Sequence, residues 1–257
     1  MDLATTMKSL ESAGSAQAKK VYARHGVKEP MYGVSYAALK TLAKKIGHDH
    51  VLARQLWETR NHDARILATM IADPKQTDSW LIDRWRFDLN NRVLTDALAG
   101  LADAADIACD QVNRWCEAGD ESASAMGWGV LARRMARPGG WSDDDLARKI
   151  ETIERTIHRS PNRARHAMNG ALIAIGMRNA GLRKLALAAA ERIGPVEVDH
   201  GETGCKTPDA AAYIMKGVEY QQSRAAGKIR SAQKPKTKSV RSTAAKRKKS
   251  KSAMVRR

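Results

Sequence analysis

The chain has 257 residues, 43% of them hydrophobic, and carries 45 Lys/Arg against 28 Asp/Glu. No run approaches the roughly 18 apolar residues of a membrane span, and the opening MDLATTMKSLESAG lacks the apolar region of a secretory leader. Three scattered cysteines argue against a disulfide framework and fit a reducing, cytoplasmic compartment.

The positive charge is concentrated. Residues 221–257 hold 14 Lys/Arg and no acid, which leaves 31 basic and 28 acidic residues in the first 220. This contrast predicts a folded domain over 1–220 and a disordered Lys/Arg-rich tail over 221–257 that binds polyanions without selectivity.

In chain order, residues 3–24 read as helical, with Leu3, Met7 and Leu10 on one face and Gly14 as its weak point. A loop containing Pro30 follows, and Ser35 caps a helix that runs to Ile46. Residues 51–74, VLARQLWETRNHDARILATMIADP, hold two helical patterns on either side of Asn61 and His62. Leu52, Gln55, Leu56 and Thr59 mark one face of the first; Ile66, Leu67, Met70 and Ile71 mark one face of the second, which stops at Asp73 and Pro74. Asp63 is expected to support the turn between them.

Further helices are predicted from residue 78 or 79, from 90, and over 106–117 and 120–137. Ser142 caps another, with three aspartates in its first turn, and others cover 162–179, 181–193 and 208–220. Trp57, Trp80, Trp85 and Trp115 fall at core positions, and Trp141 reads as a staple before its helix. Trp128 lies between two glycines, where a backbone or a ligand can approach closely, and is the aromatic candidate for a nucleic-acid face. No alternating strand pattern occurs. About a dozen helices joined by short loops predict an all-α, HEAT-like helical repeat solenoid, an architecture that by itself names no function.

Residues 155–190 contain seven basic residues and no Asp or Glu: Arg155, Arg159, Arg163, Arg165, Arg178, Arg183 and Lys184. On a solenoid this run predicts a concave basic face that follows a phosphate backbone, extended by Arg133, Arg134 and Arg137. Ordinary solvated helix faces are the competing reading. The polar loop over 193–208 offers His200 and Lys206 to phosphates. Its Asp199, His200, Glu202 and Cys205 are ligand types without metal-site spacing, so neither a metal nor another cofactor is expected.

Two stretches carry a resemblance. Residues 52–74, LARQLWETRNHDARILATMIADP, and 168–216, MNGALIAIGMRNAGLRKLALAAAERIGPVEVDHGETGCKTPDAAAYIMK, resemble a bacterial branch of the DNA alkylation repair family, the AlkD-like HEAT-repeat DNA glycosylases. The likeness spans about residues 15–220. It implies an N-glycosylase, a hydrolase that releases N3- or N7-alkylated purines from double-stranded DNA. In that chemistry a carboxylate stabilises an oxocarbenium-like sugar while aromatic faces attract the cationic base.

The family sets a tryptophan and an aspartate four residues apart on one helix. In NNRVLTD, Asp96 falls on the aspartate and Arg92 stands where the tryptophan is expected. The family's paired arginines fall near Ser124 and Ala125, and a second aromatic near Gly170. The expectation is therefore DNA binding in alkylation repair by a cytoplasmic monomer, nucleoid-associated if bacterial. Asp96 is the candidate catalytic carboxylate. Arg92, Trp128, Arg133, Arg134, Arg159, Arg163, Arg165, Arg178, Arg183, Lys184, His200 and Lys206 are candidate DNA contacts. Asp96 paired with Arg92 one helical turn away is the plain alternative for that residue. For the chain, the alternatives are a non-catalytic binder of damaged or branched DNA and a protein-interaction scaffold.

Overall fold

The structure is a computed structural model and describes residues 1–28 and 30–232. Among these, thirteen α-helices and two short 3-10 turns account for the regular structure, and a lone bridge between Gly14 and Val34 is the only extended pairing. Residues Met1–Val218 form one compact unit and Glu219–Arg257 a second.

The predicted first helix is two. α1 (Leu3–Ser12) and α2 (Ala16–Arg24) break at Gly14, where a Cβ would sit 2.4 Å from the carbonyl oxygen of Tyr32. The chain must turn there to let the 32–34 loop pass, and Ser15 restarts the helix by accepting from the Ala18 amide. α3 (Tyr36–Ile46) starts on Ser35 as its sequence predicts.

α4 (His50–Glu58) and α5 (His62–Ile71) are the pair read from residues 51–74. They are followed by α6 (Ser79–Arg86), α7 (Arg92–Ala104), α8 (Cys109–Cys116), α9 (Glu121–Arg134) and α10 (Asp143–Thr156). α11 (Asn162–Gly176) and α12 (Ala180–Ile193) complete the series before the 194–209 loop. α13 (Ala210–Ala232) begins two residues beyond Pro208. It also continues past residue 220, so the opening residues of the predicted tail are helical; 233–257 lie outside the described residues.

The helices stack as two rows. α3, α5, α7, α9 and α11 pack one on the next and form the inner row; α4, α6, α8 and α10 each pack on the inner helix that follows, and α12 rests on α10 and α11. This is the stacked-pair arrangement of a HEAT-like repeat, in which no pair closes a core alone.

Tryptophans stitch the repeats. Trp57 and Trp85 stack at 4.2 Å with their planes 2° apart. The Trp57 indole donates to Asp88 (2.8 Å), Trp115 to Asp83 (2.7 Å) and Trp141 to Asn113 (2.9 Å). Each buried ring thus fills the core and satisfies its N–H across to a neighbouring helix or its flanking turn. Trp80 departs from the expected core position and is exposed.

Trp128 is also corrected. It is 1% exposed, with Lys149 5.8 Å from its ring, and cannot meet DNA. The neighbouring glycine serves the fold: a Cβ on Gly127 would lie 2.5 Å from the Cys116 nitrogen, so α8 packs directly on the backbone of α9.

Candidate nucleic-acid interface

The site begins with a buried carboxylate. Asp63, fully buried in the first turn of α5, accepts the amides of Tyr32 (2.6 Å), Gly33 (2.9 Å) and Val34 (2.9 Å). These bonds shape the 32–34 loop. The loop in turn accepts from α2: Ser15 N–H reaches Gly33 O at 2.9 Å and the Tyr22 hydroxyl reaches Val34 O at 2.7 Å. Asp63 therefore positions α2 from a distance, and the C-terminal end of α2 forms one wall of a cavity of about 630 Å³.

The other walls are the N-terminal turns of α7, α9 and α11 and the loop over 198–205. Asn162 holds that loop through both its amide atoms, which exchange hydrogen bonds at 2.8 Å with the backbone of Asp199. Arg165 donates to the carbonyl oxygens of Glu197 (2.8 Å) and Ser160 (3.0 Å). Gly201 passes so close to α2 that a Cβ there would stand 2.9 Å from Arg24 O.

Glu121 and Arg163 face each other in the cavity wall. The carboxylate accepts from the Arg163 amide (2.8 Å) and from its guanidinium (2.8 Å), supplying the N-terminus of α11 with the anion its dipole favours. His166, one turn further along, meets His200 edge to face at 5.5 Å. Burial, with Arg92 and His200 adding to it, lowers the His166 pKa to about 4. The ring is thus neutral at physiological pH.

Arg92 belongs both to this cavity and to an adjoining cleft of about 350 Å³, which contains Asp96, Arg133, Tyr22 and Tyr36. Arg92 Nε lies 3.5 Å from the Asp96 carboxylate, with side chains 47% and 53% exposed. Arg133 donates to the backbone oxygen of Asp96 at 3.0 Å. Solvent reaches half of the Asp96 side chain, yet the cleft walls crowd the rest. That burial raises its pKa, and the two arginines only partly offset it.

The sequence-predicted contacts thus divide. Arg92, Arg133, Asp96, Arg163 and His200 come together along the inner row. Arg134 does not: it is 4% exposed and braces Asp103 (3.3 Å) and Ile107 O (2.8 Å). Arg137 pairs with the same Asp103 at 2.6 Å. Arg165 is a loop brace, and Arg178 donates to Gly139 O at 3.3 Å. Arg183 and Lys184 belong to α12, outside the inner row, while Arg159 and Lys206 are exposed but do not line either cavity. The basic run over 155–190 is consequently shared among ion pairs, loop braces and separate surfaces. Sequence reasoning missed His166, Glu121 and the end of α2: Glu121 and His166 lie at the site because α9 and α11 start there beside α7, and the end of α2 faces those starts.

A family model described as DNA alkylation repair enzyme matches residues 6–214. The chain belongs to this family. Its similar proteins include the uncharacterized protein Lin0241 of Listeria innocua, 27% identical over 220 residues that cover 83% of this chain and 95% of the relative. The uncharacterized protein Lmo0209 of Listeria monocytogenes matches at the same identity and coverage. A solved structure described as "a new family of proteins related to the HEAT-like repeat DNA glycosylases with affinity for branched DNA structures" superimposes with a TM-score of 0.78 at 31% identity. It covers 86% of this chain and 95% of that one. The family and the fold agree with the two-row stack of helices. Among the described residues no helix is long and apolar enough to cross a membrane.

Proposed function

We propose that the protein binds branched DNA along the Asp96 cleft and the cavity that adjoins it at Arg92, without cutting the glycosidic bond. The observation that carries this reading is the pair of arginines around Asp96. A glycosylase for alkylated purines must draw a cationic base toward its carboxylate. Here Arg92 and Arg133 flank the carboxylate at the cleft and would repel that base, whereas the same two cations attract phosphates. The affinity for branched DNA described for the 31% identical neighbour supports the choice of substrate.

Binding of this kind needs only exposed cations and a cleft that two duplex arms can enter at an angle. Arg92 and Arg133 supply the charge, and the loop over 198–205 borders the cleft at its other end. The double-stranded arms are the partner, and one copy of the chain suffices. Charge reversal at Arg92 and Arg133 is expected to weaken junction binding at least tenfold; unchanged affinity would contradict the placement of the interface.

A second reading is favoured by one observation: Asp96 is present, half-exposed and in the cleft. If it acts as the family's carboxylate, purified protein will release free base from duplex carrying N3- or N7-methylpurines. The proposal expects no release above that of an Asp96→Asn variant.

A further inference from the structure

The larger cavity is not explained by phosphate contacts. Its formal charges nearly cancel: Arg163 pairs with Glu121, and the rest of the lining holds Arg24 and Arg92 together with Asp199 and Glu202. What distinguishes it is unsaturated, flat and polar. His166 and His200 present an imidazole pair. Two buried polar atoms of its lining residues, Arg163 Nη1 and His166 Nδ1, have no hydrogen-bond partner, although buried polar groups are nearly always satisfied. At about 630 Å³ the cavity lies within the ~300–1,000 Å³ range of small-molecule sites.

We infer that this cavity receives one unpaired nucleotide from the branch point of a DNA junction, its base against the His166–His200 pair and its phosphate toward Arg92. The inference rests on the branched-DNA reading and extends it from an electrostatic surface to a receptor. A junction offers bases already lacking a partner, so the cost of unstacking that an extruded base usually carries is smallest there. An imidazole face can stack on any base, and stacking of this kind discriminates weakly among the four bases. The low pKa of His166 keeps its ring uncharged throughout the physiological range.

The acidic loop residues Asp199 and Glu202 disfavour a phosphate on their side, so the backbone is expected to enter past Arg92, at the border with the Asp96 cleft. Asn162 is committed to the loop and does not read the base.

The test uses a three-way junction with one unpaired nucleotide at its branch point and the same junction with an abasic residue there. Full-length protein is expected to bind the base-containing junction about tenfold more tightly, with the four bases within about threefold of one another. His166→Ala and His200→Ala are each expected to bring the ratio toward one. Because the ratio compares two ligands on one preparation, loss of folded protein does not mimic the effect. Equal affinity of the unaltered protein for the two junctions overturns the inference, as does equal affinity combined with micromolar binding of free dAMP, which would mark a free-nucleotide site. Failure of the underlying reading looks different: neither junction would then be preferred over linear duplex.

Discussion

Burial holds the Asp96 carboxyl above its ordinary range, and burial holds the His166 imidazole below its own, so the two groups bias stability in opposite senses as pH changes. A carboxyl with a raised folded pKa stabilises the fold most below its unfolded value of 3.8, and that contribution is lost as pH rises through the folded value. At pH 7 the Asp96 charge is therefore a liability. Asp96→Asn is expected to raise the melting temperature by a degree or more at pH 7 and to leave it unchanged below pH 3.8. A lowered melting temperature at pH 7 would show that the Arg92 pair outweighs the burial. For His166 the sign reverses. Neutral histidine is favoured by folding, so its contribution is complete above the unfolded value of 6.5 and is lost as pH falls toward about 4. The loss is therefore spread between about pH 6.5 and about pH 4. Replacing His166 with Gln is expected to flatten the acid limb of a stability–pH curve; an identical slope would mean that the ring titrates freely.

Elements here are placed by contacts that their own sequences do not announce. Asp63 lies in α5, yet it fixes the 32–34 loop and through it α2, the wall of the cavity. Asp63→Ala removes three hydrogen bonds from the 32–34 backbone amides, two of them buried, and is expected to cost about 3 kcal/mol or more in urea unfolding; a loss below about 1 kcal/mol would contradict the role. Gly127→Ala forces α8 off α9 and is expected to cost about 3 kcal/mol, near the upper end for overpacking. The helices themselves were legible in sequence because caps and apolar spacing are local: Ser35 and Ser142 start α3 and α10, the residue 51–74 pattern is α4 and α5, and α7 starts on Asn91, one residue past the expected Asn90. The split at Gly14 was visible only as a weak point, since its cause is Tyr32, eighteen residues away. Among the candidate site residues, Arg92, Asp96 and Arg133, read from charge and family likeness, share one cleft. Arg134, Arg165 and Trp128 were misplaced because composition cannot separate an exposed cation from a buried brace, nor a glycine that admits a ligand from one that admits a helix.

At the scale of the molecule, a stack of paired helices aligns the starts of α7, α9 and α11, and α2 folds back to face them. The proposed interface is therefore small and only locally basic, in contrast to residues 221–257, which hold 14 Lys/Arg and no acid. Selectivity for shape over charge is read from competition between ligands of equal charge. A three-way junction and a linear duplex with the same number of phosphates should be titrated against the full-length protein over a range of salt. Binding of the junction is expected to be at least tenfold tighter, with a preference that persists as both affinities fall with salt and a salt slope shallower by about two for the Arg92→Ala, Arg133→Ala double variant. Equal affinity for junction and duplex, or a preference that disappears with added salt, would contradict it.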